Sequence, residues 1–193
     1  MKQLTALTLF FALLVPQVVM GQEPEMPERF NGVLLDFGGA VAGRSTAQFT
    51  LVIEKYSTVE DINDLLRALS EGGQDGLTKA LSDLDLGYIR IGGSIGYPIS
   101  AARSYDVPGG RIIRVLTDRQ IQMYEVMRSL RSLDYPLGII EIQLPENGKK
   151  GSGQLIAAGQ ITMTKEGGLE IESLGTTPFR LQNVSLAKKK KKK

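Results

Sequence analysis

From Leu137 to Leu186 four apolar, β-favouring runs follow one another: Leu137 to Leu144, Gln154 to Thr164, Leu169 to Leu174 and Phe179 to Leu186. Only turn-forming stretches divide them, at Pro145 to Gly153, Lys165 to Gly168 and Gly175 to Pro178. Connections so short predict an antiparallel meander, because parallel neighbours need a long crossover. The upstream chain adds to this pattern. Phe30 to Phe37 and Thr46 to Tyr56 read as a hairpin around Gly38, Gly39 and Gly43. Within the second of these, Ala47, Phe49, Leu51 and Ile53 alternate with Thr46, Gln48, Thr50 and Glu54, the period of a half-buried strand. Tyr88 to Ile91 is a short strand ahead of glycines 92, 93 and 96, and Ile99 to Tyr105 and Arg111 to Thr117 form a hairpin around Pro108, Gly109 and Gly110. Roughly nine strands in one chain predict a sandwich or a partly closed barrel, since sheets of that size curl or split into layers. Arg119 to Arg131 is ambiguous: Met123, Met127 and Leu130 suit a helix, whereas Ile121 and Met123 suit a strand.

Clear helical periodicity is confined to the stretch from Ser57 to Gly87. Val59, Ile62, Leu65, Leu66 and Leu69 recur at three- and four-residue spacing, with Glu60, Asp61, Asp64 and Arg67 directed elsewhere. Ser57 and Glu60 stand at capping-box spacing, and Gly72 and Gly73 supply a stop. A second stripe, Leu77, Ala80, Leu81 and Leu84, follows with Asp75 as cap and Gly87 as stop. The expected class is therefore mainly β (α+β), antiparallel, with an inserted helical hairpin laid on the sheet.

Met1 to Gly21 combines Lys2, an apolar run and small residues at its end, which is the pattern of a secretory signal peptide cleaved before Gln22. Gln22 to Arg29 reads as an extended leader, residues 30–187 as a single β-rich domain, and Lys188 to Lys193 as a disordered tail. The expected location is periplasmic or extracellular, with no transmembrane span once the signal is removed. With no cysteine in the chain, packing alone must hold the domain in an oxidising compartment. Of 23 lysines and arginines, Lys2 and the six tail lysines account for seven, leaving 16 against 21 acidic residues. The body is thus acidic, which argues against a specific nucleic-acid-binding domain.

The missing residue types exclude much chemistry. Without histidine there is no serine–histidine–acid triad and no histidine zinc site; without cysteine there is no thiol nucleophile. The glycines near Ile91 do not match a dinucleotide loop, and Asp83 and Asp85 lack the later ligands of a calcium loop, so neither cofactor nor metal is expected. Two readings stay open. Tyr88, Arg90, Tyr97, Arg103 and Tyr105 flank the glycine turn, and aromatic faces with guanidinium forks suit an amphipathic or anionic ligand. Such side chains at strand edges also commonly cover core and pair locally. Alternatively Asp118 and Glu141 could form the acid pair of a hydrolase acting on envelope polymers.

Several short runs, Glu71-Gly72-Gly73-Gln74-Asp75, Gly87-Tyr88-Ile89-Arg90, Thr117-Asp118-Arg119 and Asp134-Tyr135-Pro136 before Ile140-Glu141, resemble a family of uncharacterised exported bacterial proteins. The resemblance covers most of the chain after the signal and implies bacterial export and a shared fold, but it transfers no site residue. The chain departs from the family's pattern at Gln120, where proline is expected, and in the lysine tail. Together these observations predict an exported, non-catalytic module that binds a small amphipathic or anionic ligand or an envelope component.

Overall fold

The computed structural model describes residues 26–35, 46–121, 134–174 and 178–187. The predicted signal segment, most of the predicted leader, the connection of the first hairpin with Gly38, Gly39 and Gly43, the lysine tail and residues 122–131 of the ambiguous stretch lie outside the described residues. Among the described residues ten strands form one antiparallel sheet: β1 (Glu28–Leu35), β2 (Thr46–Ile53), β3 (Gly87–Ile91), β4 (Tyr97–Pro98), β5 (Ala101–Val107), β6 (Gly110–Leu116), β7 (Leu137–Pro145), β8 (Gly151–Met163), β9 (Leu169–Ser173) and β10 (Phe179–Leu186). The hairpins and the first three strands of the C-terminal run fall where the apolar runs predict them, with β1 starting at Glu28, two residues ahead of Phe30; the fourth, β10, does not continue the meander beside β9 but pairs with β8 and β1.

The sheet runs β4-β3-β2-β1-β10-β8-β7-β6-β5 and curls strongly. Its two ends, β4 and β5, are pieces of one extended segment separated only by Ile99 and Ser100. On one side of that bend Leu86 N donates to Ile99 O and Ile99 N to Gly87 O; on the other Ser100 N donates to Leu116 O. One segment thus hands over from β3 to β6 and draws the sheet into a partly closed barrel. The long strand β8 carries two partners on one edge, β10 along its first half and β9 along its second.

Two bulges adjust which side chains face inward. In β10 the register slips by one against both β1 and β8 near Asn183, whose φ of 55° is the left-handed conformation asparagine tolerates. In β8 the register against β7 slips between the partners of Leu137 and Ile139. Ile156 and Ile161, five residues apart, consequently join the same outer cluster, whereas a regular strand would put them on opposite faces.

The barrel interior is filled by Phe30, Phe49, Leu51, Ile53, Ile89, Ile113, Ile140, Ile142, Leu155 and Val184 among others, most of them inaccessible to solvent. A second cluster lies outside the barrel wall, where α1 (Val59–Ser82) sets Leu65, Leu69, Leu77 and Leu81 against Ala101, Leu137, Ile139 and Ile161. Strands β7 and β8 contribute to both clusters, Ile140, Ile142 and Leu155 to the interior and Leu137, Ile139 and Ile161 to the outer one, which accounts for their apolar middles.

The helix is broken at Gly73, where φ is 59° and ψ is −149°. A Cβ at Gly76 would lie 2.4 Å from the carbonyl oxygen of Ala68. Residues eight apart in a straight helix are about 12 Å apart, so the second segment folds back on the first, as the hairpin reading expects. The cap differs by one residue from the sequence reading. Thr58 and Asp61, not Ser57 and Glu60, form the capping box, with Asp61 N donating to Thr58 Oγ1 and Thr58 N to Asp61 Oδ2. Ser57 is buried and bonded instead to β5: its N–H donates to Ala102 O, and its Oγ accepts from Ala102 N. Gly87 does not stop the helix, which ends at Asp83; with φ of 132° it opens β3 against Ile53.

Candidate functional site

Between α1 and the outer face of β5 to β9 lies a partly open cavity of about 130 Å³. Its floor is laid down by strand register. Ala101, Leu116, Ile139 and Ile156 are successive cross-strand partners and form an apolar rung across four strands. Two residues along each strand, about 6.6 Å away at strand rise, Arg103, Arg114, Glu141 and Gln154 form a polar rung in the same way. Ile62, Leu65, Leu66 and Leu69 of α1 line the cavity from above, and Leu169 and Ile171 of β9 from the side. The groove therefore has an apolar body with one charged margin.

At that margin Arg114 Nε donates to Glu141 Oε2 at 2.8 Å, with both side chains about a quarter exposed. Arg103 NH1 donates to Ser57 O at 3.0 Å, fixing the segment that leads into the helix to β5. The Tyr105 ring stands near both guanidiniums, 6.0 Å from Arg103 and 5.5 Å from Arg114. Among the described residues no carboxylate pairs with Arg103.

The five residues predicted as a ligand cluster are divided by the fold. Arg103 and Tyr105 line the groove. Tyr88 and Arg90 lie on β3, where the Arg90 guanidinium stacks 4.7 Å from the Tyr88 ring and its Nε donates to Ile95 O across the turn. Tyr97 packs against the interior cluster. The cause is alternation along the strand together with the bend at Ile99 and Ser100, which gives the two halves of the segment to different neighbours. Asp118 and Glu141 are not brought together either. Thr117 N bonds Gly138 O, so Asp118 sits three to four residues along the strand direction from Glu141, about 10 Å or more. Each is paired with its own arginine, Asp118 with Arg119 and Glu141 with Arg114.

Arg114 and Gln154 belong to the groove but escape a reading by proximity. The Pro108-Gly109 turn carries the missing signal for Arg114, because a two-residue connection between Val107 and Gly110 places residue 103 opposite 114.

A second polar group closes one end of the barrel interior. Glu28, 5% exposed, accepts from Tyr56 Oη at 2.5 Å and from Arg111 NH2 at 2.8 Å. Burial first, then the bond to Glu28 and the charge of that carboxylate, pushes the Tyr56 phenol well above its ordinary range. Each oxygen of this acid is committed to a partner, and the group ties β1, the end of β2 and β6 together. Among the described residues no helix is long and apolar enough to cross a membrane, and no cluster of three acidic side chains is placed to hold a metal ion. Comparison of the chain with family models, with curated proteins and with solved structures finds no match.

Proposed function

We propose that this chain is an exported, non-catalytic binding module whose ligand is a small amphipathic molecule held between α1 and the sheet. The observation that carries the reading is the adjacency of two rungs, apolar Ala101-Leu116-Ile139-Ile156 and polar Arg103-Arg114-Glu141-Gln154, beneath an apolar helix face. Concave apolar sites with a few fixed polar groups are the usual form of a small-molecule pocket. A non-catalytic role is favoured by the absence of histidine and cysteine and by the separate pairing of Asp118 and Glu141. Export is supported by the Lys2-led apolar run that ends at Gly21.

Native mass spectrometry on protein purified without detergent from an exporting bacterial host tests both parts. The expected result is a chain beginning at Gln22 that carries a reproducible added mass, lost when Ala101→Leu fills the groove. An uncleaved chain counts against export, and a bare mass in the unsubstituted protein counts against a retained ligand.

A further inference from the structure

We infer that the groove is a site for a monocarboxylate with an apolar tail of about six carbons, its carboxylate on Arg103 and its tail over Ala101, Leu116, Ile139 and Ile156. This rests on the reading of the groove as a ligand site and adds the chemical class. Three observations select it.

The first is charge. The margin holds two guanidiniums and one carboxylate, Arg103, Arg114 and Glu141, a local balance of plus one. A monoanion neutralises it, whereas a phosphomonoester dianion leaves a surplus negative charge in a half-buried place, where uncompensated charge is costly. The second is donor geometry. Arg114 has committed its Nε to Glu141, and Arg103 has committed one terminal nitrogen to Ser57 O. The remaining Nε and NH2 edge of Arg103 is the side of the fork that matches the two oxygens of a carboxylate. The Tyr105 ring beside it supplies an aromatic face against the guanidinium plane.

The third is the body of the site. The rung adjoining the arginines is wholly apolar, and the helix residues above it are isoleucine and leucine. A tail bearing hydroxyls or amides would meet no partner there. The cavity of about 130 Å³ is close to the roughly 150 Å³ apolar cavity that holds benzene, which sets the tail near six carbons.

The test is a calorimetric titration of the full exported chain with heptanoate, hexyl phosphate and 1-hexanol, which share a hexyl tail and differ in head group. Heptanoate is expected to bind best of the three, Arg103→Gln to weaken it at least tenfold, and Arg103→Lys to weaken it less. Ala101→Leu is expected to abolish binding of all three; should that variant not fold, Leu66→Trp blocks the same space from the helix side. Equal binding of the alcohol or the phosphate, or an unchanged affinity in Arg103→Gln, overturns the monocarboxylate inference while leaving an apolar ligand groove in place. No binding of any of the three overturns both.

Discussion

Arg103 on β5 and Arg114 on β6 are directly opposed cross-strand partners, so two guanidinium side chains rise from the same side of the sheet. Like charges so placed oppose pairing. Glu141, the partner of Arg114 on β7, neutralises one of them, and the Tyr105 ring lies close to both. What remains is a single positive charge at the edge of an apolar groove. This arrangement is suited to an anion.

That relationship makes the charges unequal in their effect on stability. Glu141→Gln removes the carboxylate bonded to Arg114 beside the opposed arginines and is expected to lower stability by about 1–2 kcal/mol, more than an exposed ion pair is worth because the pair is only about a quarter exposed. Arg103→Gln removes the repulsion together with the bond to Ser57 O, two changes of opposite sign, and is expected to cost less than Glu141→Gln. Urea midpoints at low and high salt provide the check, with the Glu141→Gln loss shrinking as salt rises.

Two of the three glycines of the helical hairpin, Gly72 and Gly76, should answer oppositely to alanine. Gly76→Ala drives a methyl into the Ala68 carbonyl and is expected to cost more than 2 kcal/mol, since backbone and not a flexible side chain blocks it. At Gly72 there is open space around an added Cβ, so Gly72→Ala is expected to be neutral or to stabilise by up to about 1 kcal/mol. Thermal unfolding of both variants gives the comparison, and a harmless Gly76→Ala would refute the fold-back of the second segment.

Gln74 Oε1 accepts from the backbone N–H of Ile161 at 2.9 Å, a side-chain bond that fastens the returning half of the helix to β8. Gln74→Ala is expected to cost about 1–3 kcal/mol, the penalty for leaving a part-buried amide without a partner. Hydrogen exchange at Ile161 should accelerate in that variant more than at the β8–β10 ladder amide of Leu155.

Tyr56 predicts an alkaline limit. Its phenol is raised in the folded state, so the folded form holds this proton more tightly than the unfolded chain does. The stability from this group is fully present below the ordinary tyrosine value of 10.0 and is lost progressively as pH rises above it. In a stability–pH curve, Tyr56→Phe should flatten the fall above that value, and phenolate absorbance should show no ionisation of Tyr56 before the protein unfolds. A curve of unchanged steepness in Tyr56→Phe would place the alkaline sensitivity elsewhere.

Much of the fold is legible wherever local pattern and tertiary context agree. The alternation of Phe49, Leu51 and Ile53 marks the inner face of β2, and all three are buried. The leucines at 65, 69, 77 and 81 mark the buried side of the helical pair. Legibility fails by one residue at the helix start, because Ser57-x-x-Glu60 and Thr58-x-x-Asp61 have the same spacing and only the pull of β5 on Ser57 separates them. It fails at β8, where a bulge changes the parity between Ile156 and Ile161. The candidate site was half legible. Arg103 and Tyr105 carry the right chemistry at the right place, but Tyr88, Arg90 and Tyr97 were grouped with them by nearness in sequence, which alternation and the bend at Ser100 undo. Arg114 and Gln154 reach the groove through strand register, a long-range property that no short window of sequence contains.

Methyl NMR during titration with heptanoate reads out whether the space under α1 receives the apolar part of a ligand. Saturable shifts are expected at the methyls of Leu66, Ile156 and Ile171, which line the groove, with Leu51 and Val184 in the barrel interior unmoved. Absence of shifts at the groove methyls, or shifts confined to the interior, would contradict the reading of the groove as a ligand site.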